Sequence, residues 1–236
     1  TAQSTLYYTP FVHNTVPLWD GAQWKPLKFT ETSLALSGLT SGKPYDVFGY
    51  LNSGVLALEL LVWTSDTARA TAVTLQDGRY CKSGDKTRLL LGTIYTTGTT
   101  TTEDSAASRL LANVYNRAIR HLALSTGEQL HTYATFSYRA FNNNTANAVK
   151  VLHCFPGNGL SGCANGLITA GVAAIGIGVN STTSVAAECF TGTATVSISG
   201  GFVVQAAEGL STVTLLERAS GSATFSYGGI KLSARV

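Results

Sequence analysis

Tyr45-Asp46-Val47-Phe48, then Asn52-Ser53-Gly54, then Leu56-Ala57-Leu58-Glu59-Leu60-Leu61-Val62-Trp63 stand in succession, and their order decides the fold class. Two apolar runs flank a short polar stretch ending in Gly, which tolerates the positive φ of a tight hairpin. The second run is apolar on both faces apart from Glu59, so it is expected to be a central strand. The sign recurs on either side. Asp20-Gly21-Ala22 separates Pro17-Leu18-Trp19 from Gln23-Trp24-Lys25, and Asp77-Gly78 turns residues 71–75 back onto residues 79–82. Residues 88–95 read as a further strand. Turns at such short intervals favour antiparallel pairing of neighbours.

Downstream, Thr96-Thr97-Gly98-Thr99-Thr100-Thr101-Thr102 suits an extended loop, and Thr102 before Glu103-Asp104 suits a helix N-terminus. Ala106, Leu110, Leu111, Val114, Tyr115, Ala118 and Ile119 recur at spacings of three and four, with Arg109, Arg117 and Arg120 between them. This pattern predicts one amphipathic helix over 103–121 and a boundary near 122–127. Beyond it strands are expected at 130–139, 148–155, 167–179, 184–190, 193–198, 202–207 and 211–217. A last hairpin, 223–227 with 230–234, is expected around Gly228-Gly229, and Gly200-Gly201 is another turn candidate. Val196-Ser197-Ile198-Ser199 alternates as a strand with one wet face does. The expected fold is mainly β: an antiparallel sandwich or jelly-roll-like domain at 1–122, ending in the helix, and another at 123–236.

Composition narrows the function classes. Only 12% of the 236 residues are charged, against about 25% in an average soluble domain. Residues 1–122 hold 11 basic and 9 acidic groups and residues 123–236 hold 5 and 4, so neither half carries the basic excess that phosphate binding needs. No nucleic-acid partner is expected. The apolar run at 166–179 is too short and glycine-rich to span a bilayer, so no membrane partner is expected. Thr1-Ala2-Gln3-Ser4 shows no basic region followed by an apolar one, so no signal peptide is read. With Thr1 a sensible residue to expose after removal of an initiator Met, the chain is expected to be a complete small protein made in the cytoplasm.

Chemistry-bearing constellations are sparse. Cys81, Cys154, Cys163 and Cys189 are expected to be buried thiols, with a Cys154–Cys163 disulfide as the alternative across their Pro/Gly-rich loop. His153-Cys154, Cys163 and Cys189 lack the paired spacing of a zinc site, so no metal is expected. Gly157-Asn158-Gly159-Leu160-Ser161-Gly162 matches a dinucleotide-loop pattern, but a Gly/Ala-rich strand follows where a helix is required, so no cofactor is expected. His13, His121, His131 and His153 are scattered, and each is expected on a strand surface or in a hydrogen bond. Glu59 is the one acid in an apolar strand. A catalytic acid there would need a partner carboxylate, so an outward edge position or an ion pair with Arg69 or Arg88 is expected instead. Trp19, Trp24, Tyr7, Tyr8 and Tyr45 are expected in core or subunit contacts, with a sugar-stacking shelf as the alternative. No catalytic residue is assigned.

Several stretches together resemble a domain of tailed-bacteriophage virion proteins, one that occurs in head, fibre-like and collagen-repeat-bearing proteins. They are Leu6-Tyr7-Tyr8-Thr9-Pro10, Val16-Pro17-Leu18-Trp19-Asp20-Gly21, Leu34-Ala35-Leu36-Ser37-Gly38-Leu39-Thr40-Ser41-Gly42, the 45–48 and 58–64 runs, Arg69-Ala70-Thr71, Gln76-Asp77-Gly78, Leu91-Gly92-Thr93-Ile94, residues 99–105 and Val114-Tyr115-Asn116-Arg117. Thr135-Phe136-Ser137-Tyr138-Arg139-Ala140-Phe141-Asn142 resembles the family's continuation, departing from it at Tyr138 and Phe141. The resemblance implies a non-enzymatic structural role in the virion and a homotrimer. The expected role is a capsid decoration (cement) protein bound to the major capsid protein, since no fibre shaft, heptad or collagen repeat is present. The alternative is a tail fibre or baseplate adhesin, held by tail proteins, that binds host-surface glycan.

Overall fold

Ser53 and Gly54 take φ of 50° and 88°, and Asp77 and Gly78 take 51° and 76°, so both expected turns are two-residue loops with left-handed backbone at each position. In the computed structural model of the chain, which describes residues 2–127, 129–157, 159–193 and 196–235, they join paired strands of one antiparallel sheet. The first strands are β1 (Ala2–Gln3), β2 (Thr5–Tyr8), β3 (Thr15–Trp19), β4 (Trp24–Lys28), β5 (Thr32–Ala35), β6 (Pro44–Asn52), β7 (Val55–Ser65), β8 (Ala68–Arg69), β9 (Val73–Gln76), β10 (Arg79–Lys82), β11 (Asp85–Tyr95) and β12 (Thr102–Glu103). Then come β13 (Ser108–Arg109), β14 (Leu111–Asn113), β15 (Ile119–Ser125), β16 (His131–Tyr133), β17 (Arg139–Ala140), β18 (Ala148–His153) and β19 (Gly159–Ala170). The last are β20 (Val172–Val179), β21 (Ala187–Thr193), β22 (Val196–Gln205), β23 (Gly209–Ala219) and β24 (Ala223–Arg235). The chain divides into two compact units: residues 1–104, 110–117 and 208–210, and residues 105–109, 118–207 and 211–236.

The first unit is built on the sheet β8-β7-β6-β11-β10-β9, with β14 also paired to β11 and two-stranded pieces β2-β5, β3-β4 and β1-β12 around it. Its core gathers Leu6, Val16, Leu18, Leu36, Val47, Leu56, Leu58, Leu89, Leu91 and Ile94. The threonine run is a closed loop. Thr96 bridges Thr102, and the buried Thr96 hydroxyl donates to the Thr40 carbonyl at 2.7 Å while accepting the Lys43 N–H at 3.0 Å.

The second unit has two sheets: β13-β18-β23-β20-β21 with β17 on β23, and β15-β24-β19-β22 with β16 on β24. All pairs given for them are antiparallel except β13 with β18. Glycines show how closely the sheets lie. A Cβ on Gly166 of β19 would come 2.1 Å from Ile175 Cδ1 of β20, and one on Gly228 of β24 would come 2.4 Å from Leu215 Cδ2 of β23. Phe141, Val149, Val151, Leu160, Ile168, Ile177 and Phe225 fill this core at 0% exposure, which is what makes it dry.

Four expectations are corrected. The helix over 103–121 does not form: β12, β13, β14 and the start of β15 occupy that stretch. Leu110 and Ala112 are buried two residues apart, as a strand requires, while Tyr115 and Ile119 of the supposed apolar stripe are 52% and 59% exposed. The backbone groups go to sheet partners instead, Gly92–Ile94 pairing with 111–113, so tertiary pairing overrides the helical spacing. Second, Gly228-Gly229 is no turn: neither residue has positive φ, and β24 runs through them, pairing Gly228 with Gly166 and Gly229 with Asn165. Third, Gly200-Gly201 lies inside β22, opposite Ala164 and Cys163. The break comes at Gly171 (φ 84°), which splits the single strand expected at 167–179 into β19 and β20.

Candidate functional site

Strand β2 stops at Tyr8 because Thr9-Pro10 follows, and Pro has no N–H for the next ladder bond. The loop after it leaves Phe11 80% and Val12 74% exposed, Phe11 being the most exposed of the described large apolar residues. They border a surface groove of about 270 Å³ with Tyr8, His13, Phe29 and Tyr115. Tyr8 and Phe29 form its floor, stacked with ring centroids 5.1 Å apart. The far wall is held by Asn113, whose side-chain oxygen accepts the N–H groups of Tyr115 and Asn116 at 2.8 and 2.9 Å. Burial pushes the Tyr8 hydroxyl above its ordinary value. No carboxylate lines the groove; Thr9, His13, Thr15, Asn113 and Asn116 stand beside its apolar residues, so it offers apolar surface together with uncharged hydrogen-bonding groups.

The aromatics singled out by sequence fall into different places. Tyr45 is core, Tyr7 is 57% exposed, and Tyr8 belongs to the groove. Trp19 and Trp24 face each other across the β3–β4 ribbon, edge to face at 5.6 Å. Their free surfaces are not open shelves. Lys86 Nζ sits 4.7 Å from the Trp19 centroid and the Arg79 guanidinium 4.8 Å from that of Trp24. Trp24 Nε1 donates to Asp77 at 3.1 Å, and Lys86 reaches the same carboxylate oxygen at 2.7 Å. Those two donors, Lys86 first, hold the Asp77 carboxyl below its ordinary value. The ribbon is therefore stapled to the β9–β11 meander by charge and rings together. Asp20 N–H bonds Gln23 O and Phe29 N–H bonds Asn14 O, so the Pro17–Pro26 pair falls at a non-hydrogen-bonded position. Both prolines stand where a backbone N–H would point outward, which blunts both ribbon edges against further strands.

Several further acids are paired with arginines. Glu59 pairs with Arg88 at 2.5 Å, one of the two partners the sequence left open, while the other, Arg69, turns to Asp46 and Glu208. In the first unit, Asp46 is 1% exposed and takes Arg69 Nε at 2.8 Å and the Thr93 hydroxyl at 2.8 Å, while Arg69 Nη1 reaches Glu208 at 2.6 Å. Burial raises the Asp46 carboxyl, and the Arg69 charge opposes the rise. In the second unit, Glu217 is 0% exposed. It accepts from His131 Nε2 at 2.6 Å, Arg139 Nε at 2.7 Å and the Asn142 N–H at 3.2 Å. His131 is gripped further by Gln129 O at 2.7 Å and by the rings of Phe141 and Phe225. These clusters are interior, and none presents two carboxylates across a groove.

The remaining residues scatter. His13 lines the groove, His121 Nδ1 lies 2.9 Å from the Ser233 hydroxyl, and His153 is 0% exposed. Cys81, Cys154 and Cys163 are thiols, so Cys154 and Cys163 form no disulfide; the Cys189 side chain lies outside what is described. Burial pushes the Cys81 thiol up to about 11. Among the described residues no group of three His, Cys, Asp or Glu is placed to hold a metal ion. The Gly157–Gly162 stretch leads into β19 rather than a helix, and Asn158 lies outside the described residues. Sequence reasoning missed the groove, whose signal was an apolar pair, Phe11-Val12, placed directly after Pro10. It also missed Glu217, a lone acid after Val213-Thr214-Leu215-Leu216, the same sign that drew notice to Glu59.

No family model matches the sequence, and no curated protein matches it. Among solved structures, one titled "Structure of infectious bursal disease virus Gx strain" is similar over 99% of this chain and 70% of that chain, at 10% identity and a TM-score of 0.36. A likeness at that level carries no argument about what this chain does.

Proposed function

We propose that the chain is a non-enzymatic structural protein of a tailed-phage virion, acting as a capsid decoration protein that stabilises the head exterior. The observation that carries this reading is the groove beside Phe11 and Val12. It offers an exposed apolar contact on the unit whose sequence resembles the virion domain, and burying those two side chains at a partner is worth about 1.5–3 kcal/mol each. The major capsid protein is that partner in this reading, and docking onto the assembled lattice alone stabilises the head by mass action. The two facing sheets of the second unit are read as a sandwich of jelly-roll type that projects from the capsid, and three copies as the assembly unit.

The test is the heat lability of purified heads with and without the protein. Heads lacking it are expected to release their contents at lower temperature, and re-addition is expected to restore them. Phe11→Ser, a loop substitution outside the core, is expected to abolish the restoration. Equal lability with and without the protein sinks the reading. The second reading is a tail adhesin for host glycan. It is disfavoured by the cations and the carboxylate that already occupy Trp19 and Trp24.

A further inference from the structure

The end of a sheet presents a row of unpaired backbone groups, and folds guard such edges with proline, charge, brevity or a bulge. Two edges of the first unit are guarded in this way. The β3–β4 ribbon sets Pro17 against Pro26, and β8, one end of the main sheet, is two residues long and contains Arg69. β9, the other end, has no such device. Ala70-Thr71-Ala72-Val73-Thr74-Leu75-Gln76 holds no charge and no proline, and β9 pairs with β10 without a shift of register. Among the described residues no strand pairs with its other side.

The hairpin fixes which groups of β9 are open. Its two-residue loop makes Gln76 and Arg79 a hydrogen-bonded pair, and Thr74 with Cys81 is the next. The Ser83 N–H donating to Ala72 O at 2.8 Å continues the same series. The N–H and C=O groups of Val73 and Leu75 therefore point away from β10, toward the open edge. Leu75 is 61% exposed, and Tyr80, directly opposite it on β10, is 37% exposed on the same face. The edge thus combines free backbone groups with an exposed apolar side chain.

We infer that β9 pairs antiparallel with β9 of a second copy of this chain, about a two-fold axis at Thr74, so that the sheet of one copy runs on into the next. The open groups select the register. Val73 of each copy exchanges hydrogen bonds with Leu75 of the other, which uses every open group of both strands; setting Leu75 on Leu75 would bring Val73 against Asp77, inside the turn. The edge matches itself in this register. Apolar faces apolar, Thr74 faces Thr74, and both kinds of pair favour strand association. No like charges meet either. Lys82, which borders Val73, falls about 16 Å from its copy by ordinary strand spacing and rise, beyond the screening length of about 8 Å. Four residues from each side stay below the roughly 1,200 Å² of a standard stable interface, so the contact is weak and reversible. Being two-fold, it joins one assembly to another and rests neither on the three-copy unit nor on the capsid reading.

The test is sedimentation of the full chain over a concentration series from micromolar to near-millimolar. Wild type is expected to rise toward twice its dilute mass. Leu75→Lys, which sets a charge on the edge, is expected to weaken that association at least about tenfold. Val55→Lys, a change at an equally exposed apolar position on β7, is expected to associate as wild type does. Cross-linking reads the register separately. Under mild oxidation Thr74→Cys is expected to give a disulfide-linked dimer above the wild-type background, because residues facing each other at a non-hydrogen-bonded pair lie about 4.5 Å apart. Gln76→Cys, about 14 Å from its copy in the same register, is expected to give none. The cross-link needs no charged substitution, so it decides the matter even where Leu75→Lys fails to fold. Wild type of constant mass throughout the series overturns the inference and leaves the edge to a strand of another protein. Association of Leu75→Lys equal to wild type overturns it too, as does equal cross-linking by the two cysteine variants. The head-lability experiment tests the capsid reading separately.

Discussion

Glu217→Gln isolates the buried charge cluster of the second unit with almost no change of shape. The carboxylate has no exposed surface and accepts from His131, Arg139 and the Asn142 backbone. An amide oxygen can still accept from Arg139 and Asn142, but the amide nitrogen then faces His131 Nε2, and the negative charge opposing Arg139 is gone. Hydrogen bonds to charged groups contribute about 1.5–3 kcal/mol each, and breaking a buried pair from one side costs about 3–5 kcal/mol. The Arg139 side chain is 27% exposed, so water recovers part of its loss, and about 3 kcal/mol is expected. For a unit of this size that is a fall in Tm of about 10 °C. The assay is urea unfolding read by hydrogen exchange at β23 and β24 amides, which isolates this unit from the other. Arg218→Gln is the control. It removes a pair whose Glu188 side chain is 38% exposed, and it is expected to cost under about 1 kcal/mol. A loss below about 1 kcal/mol for Glu217→Gln, or equal losses for the two variants, would refute the reading of Glu217 as a buried charge whose partners depend on it.

Three further outcomes follow from the geometry. Because burial raises the Asp46 carboxyl in the folded state, its stabilising contribution is complete below the ordinary value of 3.8 and is lost as pH rises through the raised one. Urea midpoints of the first unit measured from about pH 3.5 to about pH 6.5 are therefore expected to lose that downward component in Asp46→Asn; identical slopes would contradict it. Native-state alkylation mapped by mass spectrometry is expected to label the half-buried Cys163 while sparing Cys81, whose thiol is fully buried and raised to about 11; prompt labelling of Cys81 would count against its placement. Gly166→Ala forces a methyl against Ile175 Cδ1 and is expected to cost about 1–3 kcal/mol. Adding Ile175→Val, which removes the clashing atom, is expected to recover part of that loss, and strict additivity of the two changes would show that the sheets do not meet there.

The strands were legible wherever local chemistry and tertiary pairing agree. Asn52-Ser53-Gly54 and Asp77-Gly78 encode their turns through residues that accept positive φ, and the sheet around them followed from alternation. The reading failed where a residue's role depends on a distant neighbour. Leu110, Leu111, Val114 and Ala118 have helical spacing, but Gly92–Ile94 claim 111–113 as a strand, which no local pattern announces. Gly228-Gly229 looks like a hairpin turn in isolation, whereas Leu215 of the facing sheet and the Phe141 ring close in on Gly228, so the glycine serves close packing rather than chain reversal. Of the site, an ion pair at Glu59 was among the sequence readings because its strand left an acid unaccounted for, but the choice of Arg88 over Arg69 came only from the fold. The Phe11 groove was not, because its floor joins Tyr8 to Phe29 and its wall comes from residues 113–116, brought together only by the fold.

The central claim is that the chain coats the head of a virion, and location in the particle tests it most directly. Cryo-electron microscopy of intact particles is expected to show density for the chain at many symmetry-related positions on the outer capsid lattice, with the Phe11 loop against the capsid subunit. Density confined to a few copies at the tail tip, or particles without the chain, would contradict the account.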